Sequence, residues 1–300
     1  MPGRPKSIPA CRFIERMDNK ARKTLLAVLA HPDDESFGMG GTLALYARQD
    51  VDVYLICATR GEVGTVDPKY MAGFHSVAEL RESELRCAAG YLCLKGVYFL
   101  DYRDSGMPGS NDNQHPQALA AQPVEEVAVR VAEFIRKLRP QVVLTFDPIG
   151  GYKHPDHIAI HRATVRAFEL AGAPALVTQY PPYQPSKLYF HVMPKGMFKV
   201  VVRLLPLLGQ DPRRFGRNHD INLIDLVEDG DFPIHARINY RPVREERDAA
   251  AACHASQSDG TPARGPLRWA RLLFGNQDLF MRSVPPARSG LREKDLFAGV

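Results

Sequence analysis

Apolar runs of strand length alternate with amphipathic stretches of helical period through the first two thirds of the chain. The runs that predict strands cover residues 24–30, 52–59, 97–101, 142–146 and 187–193. The stretches that predict helices cover residues 36–49, 76–90, 124–138, 156–171 and 243–255. Strands that alternate with helices form a mostly parallel sheet with helices on both faces. The pattern therefore predicts an α/β fold in three layers.

The alternation weakens after residue 172, and the stretch 195–217 mixes basic residues with an apolar run. Its weak amphipathic pattern favours a lid or insertion packed on the sheet over an element that binds a membrane surface. The first 23 residues carry seven Lys or Arg, which is typical of a flexible, solvated leader. We expect one domain over residues 24–299, a basic leader at 1–23, and no membrane span.

Composition narrows the function classes. The 300 residues are 45% hydrophobic and 24% charged, as in ordinary globular proteins, and the net charge of +5 is too small to indicate a nucleic-acid partner. The five cysteines are scattered without a CxxC pair, so they predict neither a disulfide framework nor a thiolate zinc site. A reducing, cytoplasmic location fits this usage of cysteine.

The first cluster of candidate chemistry is AHPDDE at residues 30–35, where the first strand ends and a helix begins. One imidazole and two carboxylates are suitable zinc donors. Because adjacent side chains in a turn diverge, one of Asp33 and Asp34 can bind metal while the other handles protons. The alternative is that His31 and the acids only cap the helix, and this cluster alone leaves both interpretations open.

The second cluster is DPIGGYKHPDH at residues 147–157, which follows the apolar strand 142–146 and opens another helix. His154 and His157 are three residues apart, so one can bind metal while the other faces the same cavity. Asp156 can hold one of the ligating histidines in place. If the first and fourth strands are neighbours where the strand order reverses, both clusters meet at the carboxyl edge of the sheet. The two turns together predict a metal site there.

The combination of AHPDDE with HPDH resembles the PIG-L/LmbE-like family of zinc-dependent N-acetylglucosamine deacetylases. Further matching stretches are RESEL at 81–85, YRDSGM at 102–107, HASQ at 254–257 and DLFAG at 295–299, so the resemblance covers about residues 24–299. One departure is Arg247, which stands where the family often has lysine.

The resemblance implies a Rossmann-like fold and one zinc ion, with another divalent ion such as Fe²⁺ as the alternative. The three implied ligands are His31, Asp34 and His157. Asp33 matches the general base and acid of the family. His154 matches the residue that stabilises the oxyanion, which we expect it to do as an imidazolium, and Tyr152 matches a mobile tyrosine that assists there.

The expected substrate is a small glycoside that contains N-acetylglucosamine, from which the enzyme would release acetate and a free amine. Arg81 and Asp104 are the candidate sugar contacts. By residue type alone, a solvated ion pair with its acidic neighbours explains Arg81 better than a sugar contact does, and the family resemblance reverses this preference. A turn explains Asp104 equally well. The aglycone and a homo-oligomeric state are left open by the sequence.

Three other functions compete with this expectation. A thiol-conjugate amidase would use the same zinc site on a larger acyl group. A sugar- or nucleotide-binding module without activity is a second alternative, although no GxGxxG follows the first strand. A phosphoesterase with two metals would need more carboxylates than these turns offer.

Overall fold

The computed structural model describes residues 22–193, 195–209, 211–213, 222–228, 231–258 and 276–300. Its strands are β1 (Thr24–Leu29), β2 (Asp52–Cys57), β3 (Gly96–Phe99), β4 (Val142–Phe146), β5 (Lys187–His191), β6 (Ala236–Asn239) and β7 (Gln277–Val284). Its helices are α1 (Asp34–Gly38), α2 (Gly40–Arg48), α3 (Val77–Tyr91), α4 (Val124–Leu138), α5 (Gly150–Lys153), α6 (Pro155–Gly172), α7 (Lys195–Leu204), α8 (Leu223–Glu228), α9 (Arg244–Cys253) and α10 (Ala255–Ser258).

The strands of the described chain form one sheet in the order β3-β2-β1-β4-β5-β7-β6. Strands β1 to β5 pair in parallel, whereas β7 runs antiparallel to both β5 and β6. The order reverses between β1 and β4, which are hydrogen-bonded neighbours. The predicted three-layer, mostly parallel fold is confirmed. A crevice is expected at the carboxyl ends of β1 and β4, because β2 is added on the far side of β1 and β5 on the far side of β4.

Burial explains why the first strand is central. All six residues of β1 are buried and all but one are apolar, as expected for a parallel strand that is covered on both faces. The amphipathic helix α4 packs with α6, and α3 packs with α9. These layers hold the carboxyl ends of β1 and β4 rigidly next to each other.

Several elements differ from the sequence prediction. The expected helix 36–49 is two helices, α1 and α2, which are separated at Met39. The strands β6 and β7 were not predicted, because their short or partly exposed patterns lack the strong apolar runs of the parallel strands. Residues 1–21 of the expected leader, and residues 210 and 214–217 of the expected lid, lie outside the described residues. Among the described helices, none is both long and apolar enough to cross a membrane.

The expectation of no disulfide is wrong. Cys87 on α3 and Cys253 at the end of α9 form a disulfide, although 166 positions separate them in sequence. The side-by-side packing of α3 and α9 brings the two cysteines together, with 5.9 Å between their Cα atoms. Spacing along the chain carries no trace of this proximity.

Candidate active site

The turns that follow β1 and β4 place three ligand atoms within reach of one ion. The Nδ1 atom of His31 lies 3.3 Å from Nε2 of His157 and 3.5 Å from Oδ2 of Asp34. The Nε2 atom of His157 lies 3.3 Å from Oδ1 of Asp34. A tetrahedral zinc ion with bonds of about 2.0–2.1 Å has ligand atoms about 3.3–3.4 Å apart. These three residues therefore fit the zinc ion that the family resemblance implies.

The outer nitrogens of the two histidines are also engaged. Nε2 of His31 lies 3.0 Å from Oδ2 of Asp156, and Nδ1 of His157 lies 3.2 Å from the carbonyl oxygen of Gly150. The fully buried Asp156 carboxylate in turn accepts hydrogen bonds from the backbone and the hydroxyl of Ser105. Such partners fix the ring orientation of metal-binding histidines. The Asp156 carboxylate thus lies where it can fix the ring orientation of His31.

The carboxylate of Asp34 is held in its charged form. Burial by itself raises its pKa, but His157 and His31 outweigh burial, so that the pKa lies well below its usual value. An ionised carboxylate is the form that binds a cation. Its Oδ2 atom also accepts a hydrogen bond of 2.7 Å from the backbone N–H of His31, which fixes the turn.

Asp33 is in a different environment from its neighbour. Its backbone has φ of 120°, which is unusual for a residue other than glycine, and its Oδ2 atom accepts a hydrogen bond of 3.0 Å from Nη2 of Arg81. Burial raises the pKa of Asp33 to about 6, against the lowering effect of Arg81, and the nearby Asp34 adds to the rise. A carboxylate with such a pKa can take and return a proton near neutral pH.

Arg81 is buried and directed toward the Asp33 carboxylate. Its Nη2 atom also donates to the carbonyl oxygen of Pro32 at 2.6 Å, and its Nη1 atom donates to that of Gly61 at 2.9 Å. The side chain is therefore not the solvated partner of Glu82, which instead pairs with Arg60 and Arg86. The buried Nε atom of Arg81 has no hydrogen-bond partner among the described residues.

His154 caps helix α6 with its ring. Its Nδ1 atom accepts a hydrogen bond of 3.2 Å from the backbone N–H of Asp156, so a neutral ring carries its proton on Nε2. Burial, followed by the neighbouring His31 and His157, lowers the pKa of His154 to about 2. The expected imidazolium therefore disagrees with this environment, which favours a neutral N–H donor.

Tyr152 lies beside the histidines His154 and His157. Its ring centroid is 5.1 Å from that of His157, and the two glycines before it have positive φ of 67° each, a conformation that glycine adopts without strain. Tyr152 also packs against a small apolar cluster formed by Leu205 and Leu223. The segment that begins with α7 thus contacts the tyrosine of the site.

The Asp104 carboxylate contacts two groups near the site, a backbone N–H and the ring of His31. Its Oδ1 atom accepts a hydrogen bond of 2.8 Å from the N–H of Gly106 and lies 3.5 Å from Nε2 of His31. Burial raises the pKa of Asp104, but His31 and the hydrogen bonds outweigh burial and lower the pKa below its usual range. Asp104 is thus a turn residue that also faces His31.

Comparisons with known proteins agree with this site. The family model described as PIG-L, GlcNAc-PI de-N-acetylase, matches residues 26–168. A relative from Kineococcus radiotolerans, named 1D-myo-inositol 2-acetamido-2-deoxy-alpha-D-glucopyranoside deacetylase, is 43% identical over 321 residues, which cover 96% of this chain and 85% of the relative. The chain belongs to the PIG-L/LmbE-like deacetylase family. A relative of the same name from Acidothermus cellulolyticus is 36% identical, and the match covers 93% of this chain and 95% of the relative.

Solved structures share the PIG-L/LmbE-like fold at lower identity. The N,N'-diacetylchitobiose deacetylase from Pyrococcus horikoshii is 20% identical with a TM-score of 0.57, and the match covers 87% of this chain and 84% of that one. A 4-carboxy-2-hydroxymuconate hydratase from Pseudomonas putida gives the same TM-score at 18% identity, over 90% of this chain and 99% of that one. Proteins with different reactions therefore share the fold, and the function has to be argued from the site.

Sequence reasoning gave no role to a second group of buried residues. Glu35 and His254 are fully buried and form an ion pair, with 2.7 Å between Oε1 and Nε2. Ser256 donates to both carboxylate oxygens of Glu84, at 2.8 Å from its backbone N–H and 2.7 Å from its hydroxyl. The stretches HASQ and RESEL were noticed as family matches, but nothing in the chain pattern indicates which residues they contact. Arg247, the departure from the family pattern, pairs with the adjacent Asp248 at 3.1 Å.

Proposed function

We propose that the protein is a zinc-dependent hydrolase that removes the N-acetyl group of 1D-myo-inositol 2-acetamido-2-deoxy-alpha-D-glucopyranoside, releasing acetate and the free amine. The observation that carries the proposal is the set of three side chains, two imidazoles and the Asp34 carboxylate, whose nearest nitrogen and oxygen atoms lie 3.3–3.5 Å apart, next to a separate buried carboxylate. The names of the two relatives support the choice of this glycoside. The substrate is a small molecule, and neither a nucleic acid nor a membrane enters the proposal.

Within this proposal, His31, Asp34 and His157 hold the zinc ion. When bound, the ion supplies a Lewis acid that lowers the pKa of a coordinated water to about 7 and polarises the amide carbonyl. Asp33 removes the proton from the attacking water and later delivers it to the nitrogen of the leaving amine. A pKa of about 6 suits both steps, because the group is ionised at neutral pH yet remains basic enough to accept a proton.

His154 and Tyr152 would stabilise the charge that develops on the carbonyl oxygen. Since Nδ1 of His154 is already bonded to the backbone, its Nε2–H is the donor available for the oxyanion. The hydroxyl of Tyr152 is the second donor. Its packing against Leu205 supports our view that residues 195–217 act as a lid within a single domain over residues 24–299.

Asp104 and Arg81 are the proposed contacts to the sugar. Asp104 is a buried, ionised acceptor beside His31, and such an acceptor can bind sugar hydroxyls in the position next to the metal. Arg81 already uses both terminal nitrogens within the protein, so we assign it first to the base Asp33 and only second to the substrate. A loss of Arg81 would then lower kcat as well as raise KM.

The proposal is tested by measuring acetate release from the glycoside, together with zinc content. We expect Asp33→Ala and His154→Ala to keep about one zinc per chain and to lose about 10²–10³-fold or more in kcat. His157→Ala should lose the metal. Full activity in zinc-loaded Asp33→Ala would contradict the assignment of the base.

The same assay separates the alternatives. Release of a larger acyl group from a thiol conjugate, with no acetate from the glycoside, would indicate an amidase on the same zinc site. Binding of the glycoside by the zinc-loaded protein, without any turnover, would indicate a binding module.

A further inference from the structure

The junction of α9 and α10 contacts two parts of the molecule. On one side lies the turn that carries Asp33 and Asp34 (residues 31–37, the catalytic turn), and on the other side lies helix α3. Nε2 of His254 lies 2.7 Å from Oε1 of Glu35, the residue that follows Asp34. Two residues later, Ser256 donates to both carboxylate oxygens of Glu84. All four of these residues are buried. None of them has a place in the chemistry described above.

Glu35 connects His254 to the backbone of the base. Its Oε1 atom accepts hydrogen bonds from His254 and, at 2.6 Å, from the hydroxyl of Ser36. Its Oε2 atom accepts a hydrogen bond of 3.0 Å from the backbone N–H of Asp33. Both oxygens are therefore occupied, and the carboxylate cannot rotate without breaking at least two hydrogen bonds.

The backbone of Asp33 needs such support. A non-glycine residue at φ of 120° lies outside the favoured regions, which costs on the order of 1–3 kcal/mol. The carbonyl oxygen of Asp33 accepts the N–H groups of Ser36 and Phe37 at 3.0 and 2.9 Å, and Glu35 holds its N–H. This conformation turns the Asp33 carboxylate to Arg81, while the next carboxylate faces the metal ligands.

We propose that His254 is a positioning residue for Asp33, and that it acts through Glu35 to hold the strained turn in which the base points toward the reacting water. The proposal rests on the proposed function, in which Asp33 is the base. Ser256 lies at the same junction but bonds to Glu84 on α3, so it is not part of the proposed connection from His254 to Asp33. Arg81 on α3 holds the side chain of Asp33, and His254 at the end of α9 holds its backbone through Glu35.

The test compares three variants of the zinc-loaded full chain. His254→Leu removes the donor to Glu35, His254→Gln keeps an N–H donor at a similar distance, and Ser256→Ala is the matched control at the same junction. We expect His254→Leu to lower kcat by about 10–100-fold while KM changes less than about threefold and zinc content stays the same. His254→Gln should recover kcat to within about fivefold of wild type. Ser256→Ala should lower the melting temperature but leave kcat within about twofold.

A double-mutant cycle asks whether His254 acts through Glu35. If it does, His254→Leu causes no further loss of kcat in a Glu35→Ala background. Additive losses would overturn the proposal. It would also be overturned if His254→Leu changed only the melting temperature, or if His254→Gln were as impaired as His254→Leu.

Amide hydrogen exchange of residues 31–37 provides a measurement that does not depend on turnover. His254→Leu should speed exchange in this turn by about tenfold or more, whereas Ser256→Ala should leave it within about twofold. If wild type releases no acetate, the proposed function fails, and the exchange rates still decide whether His254 holds the turn. Unchanged exchange in His254→Leu would refute the positioning role even in an active enzyme.

Discussion

At the scale of single residues, two adjacent carboxylates acquire opposite properties from their neighbours. Asp34 faces two histidines that favour its ionised form, whereas Asp33 faces one guanidinium in a site where burial disfavours charge. Burial prevails at Asp33 and raises its pKa to about 6. The peptide turn separates the two side chains, as the proposed division between metal binding at Asp34 and proton transfer at Asp33 requires.

The pH dependence of turnover should report Asp33. Because the base must be ionised, we expect kcat/KM to fall about tenfold per pH unit once the pH drops below the pKa of Asp33. Arg81→Met removes a cation that lowers this pKa, so the acid limb should move to higher pH. The measurement is kcat/KM as a function of pH for wild type and Arg81→Met.

Arg60→Met is the control, since Arg60 pairs with Glu82 and Asp101 and does not contact Asp33. Its acid limb should coincide with that of wild type. An acid limb that stays in place in Arg81→Met, with only KM raised, would instead make Arg81 a substrate contact without influence on the base.

The residues of the proposed metal site could be picked out from the sequence because each lies in the segment that follows a strongly apolar strand. His31 and Asp34 follow β1, and His157 follows β4, so that strand order alone brings them together. The partners of Arg81 and Glu35 could not be read in this way. The contact between Glu35 and His254 spans 219 positions and depends on how α9 packs beside α1, which no local pattern encodes.

At the scale of elements, helix α2 begins in the core and is capped by a strand from the far end of the chain. The Asp278 carboxylate on β7 accepts hydrogen bonds of 2.7 Å from both the backbone N–H and the hydroxyl of Thr42. Gly41 is needed beside it, because a Cβ atom there would lie 2.1 Å from the ring of Tyr240. These contacts explain why the predicted helix 36–49 is divided: its second part is fixed to β6 and β7, and its first part follows the catalytic turn.

Asp278 should make the stability of the protein depend on pH. Burial raises its pKa from 3.8 to about 6, against the hydrogen bonds from Thr42, so the folded state binds a proton more tightly than the unfolded state. Ionisation of Asp278 is therefore less favourable in the folded protein than in the unfolded chain. The free energy of unfolding should fall by at most about 3 kcal/mol as the pH rises from about 4 to about 6. Asp278→Asn cannot ionise and should escape this loss.

The measurement is the difference in unfolding free energy between Asp278→Asn and wild type at pH 4 and pH 7. Other titrating groups cancel in this difference, which should favour the variant more at pH 7 than at pH 4. A difference that is constant with pH would show that the cap at α2 compensates the charge of Asp278 in full.

At the scale of the whole molecule, the end of the sheet opposite the active site is closed by the C-terminal segment. Glu293 accepts hydrogen bonds from Lys187 at 3.0 Å and Arg282 at 2.9 Å through Oε1, and from the hydroxyl of Tyr189 at 2.8 Å through Oε2. The side chains of this cluster are nearly buried. Lys187 begins β5, whereas the site lies beyond the other end of the parallel strands.

Removal of Glu293 should therefore affect stability and spare catalysis. Glu293→Ala leaves two buried cations without their shared carboxylate, which typically costs about 3–5 kcal/mol. Chemical denaturation should show this loss, with kcat within about twofold of wild type at a temperature where the variant is folded. Glu169→Ala, which breaks an exposed pair with Arg166, is the control and should not change stability measurably. A large fall in kcat for folded Glu293→Ala would contradict the separation of the two ends.

The parallel part of the sheet was predictable from the sequence, but the antiparallel edge formed by β7 and β6 was not. The central parallel strands β1 and β4 are buried along their whole length and appear as nearly continuous apolar runs, whereas β6 alternates between buried and exposed residues over only four positions. Its short pattern does not stand out from that of a loop. β7 pairs with β5, which the sequence predicts, and β6 pairs in turn with β7.

The Cys87–Cys253 disulfide joins α3, which carries Arg81, to the end of α9, next to His254. In the chain-entropy account, a cross-link across 166 positions stabilises the folded state by about 5 kcal/mol. The variant Cys253→Ser should therefore lower the denaturant midpoint, and a reducing agent should lower it at least as far.

Thiol labelling of the folded protein tests whether Cys87 and Cys253 are joined or reduced. The cysteine spacing predicts reduced thiols in a cytoplasmic protein. If the disulfide forms, Cys87 and Cys253 resist alkylation until a reductant is added, whereas the buried Cys57 reacts on unfolding alone. Alkylation of both residues in unreduced protein, with a midpoint that reductant does not change, would show that the two thiols stay reduced. Because Cys253 directly precedes His254, kcat should be compared in both states, and a lower value after reduction would link the disulfide to the positioning of Asp33.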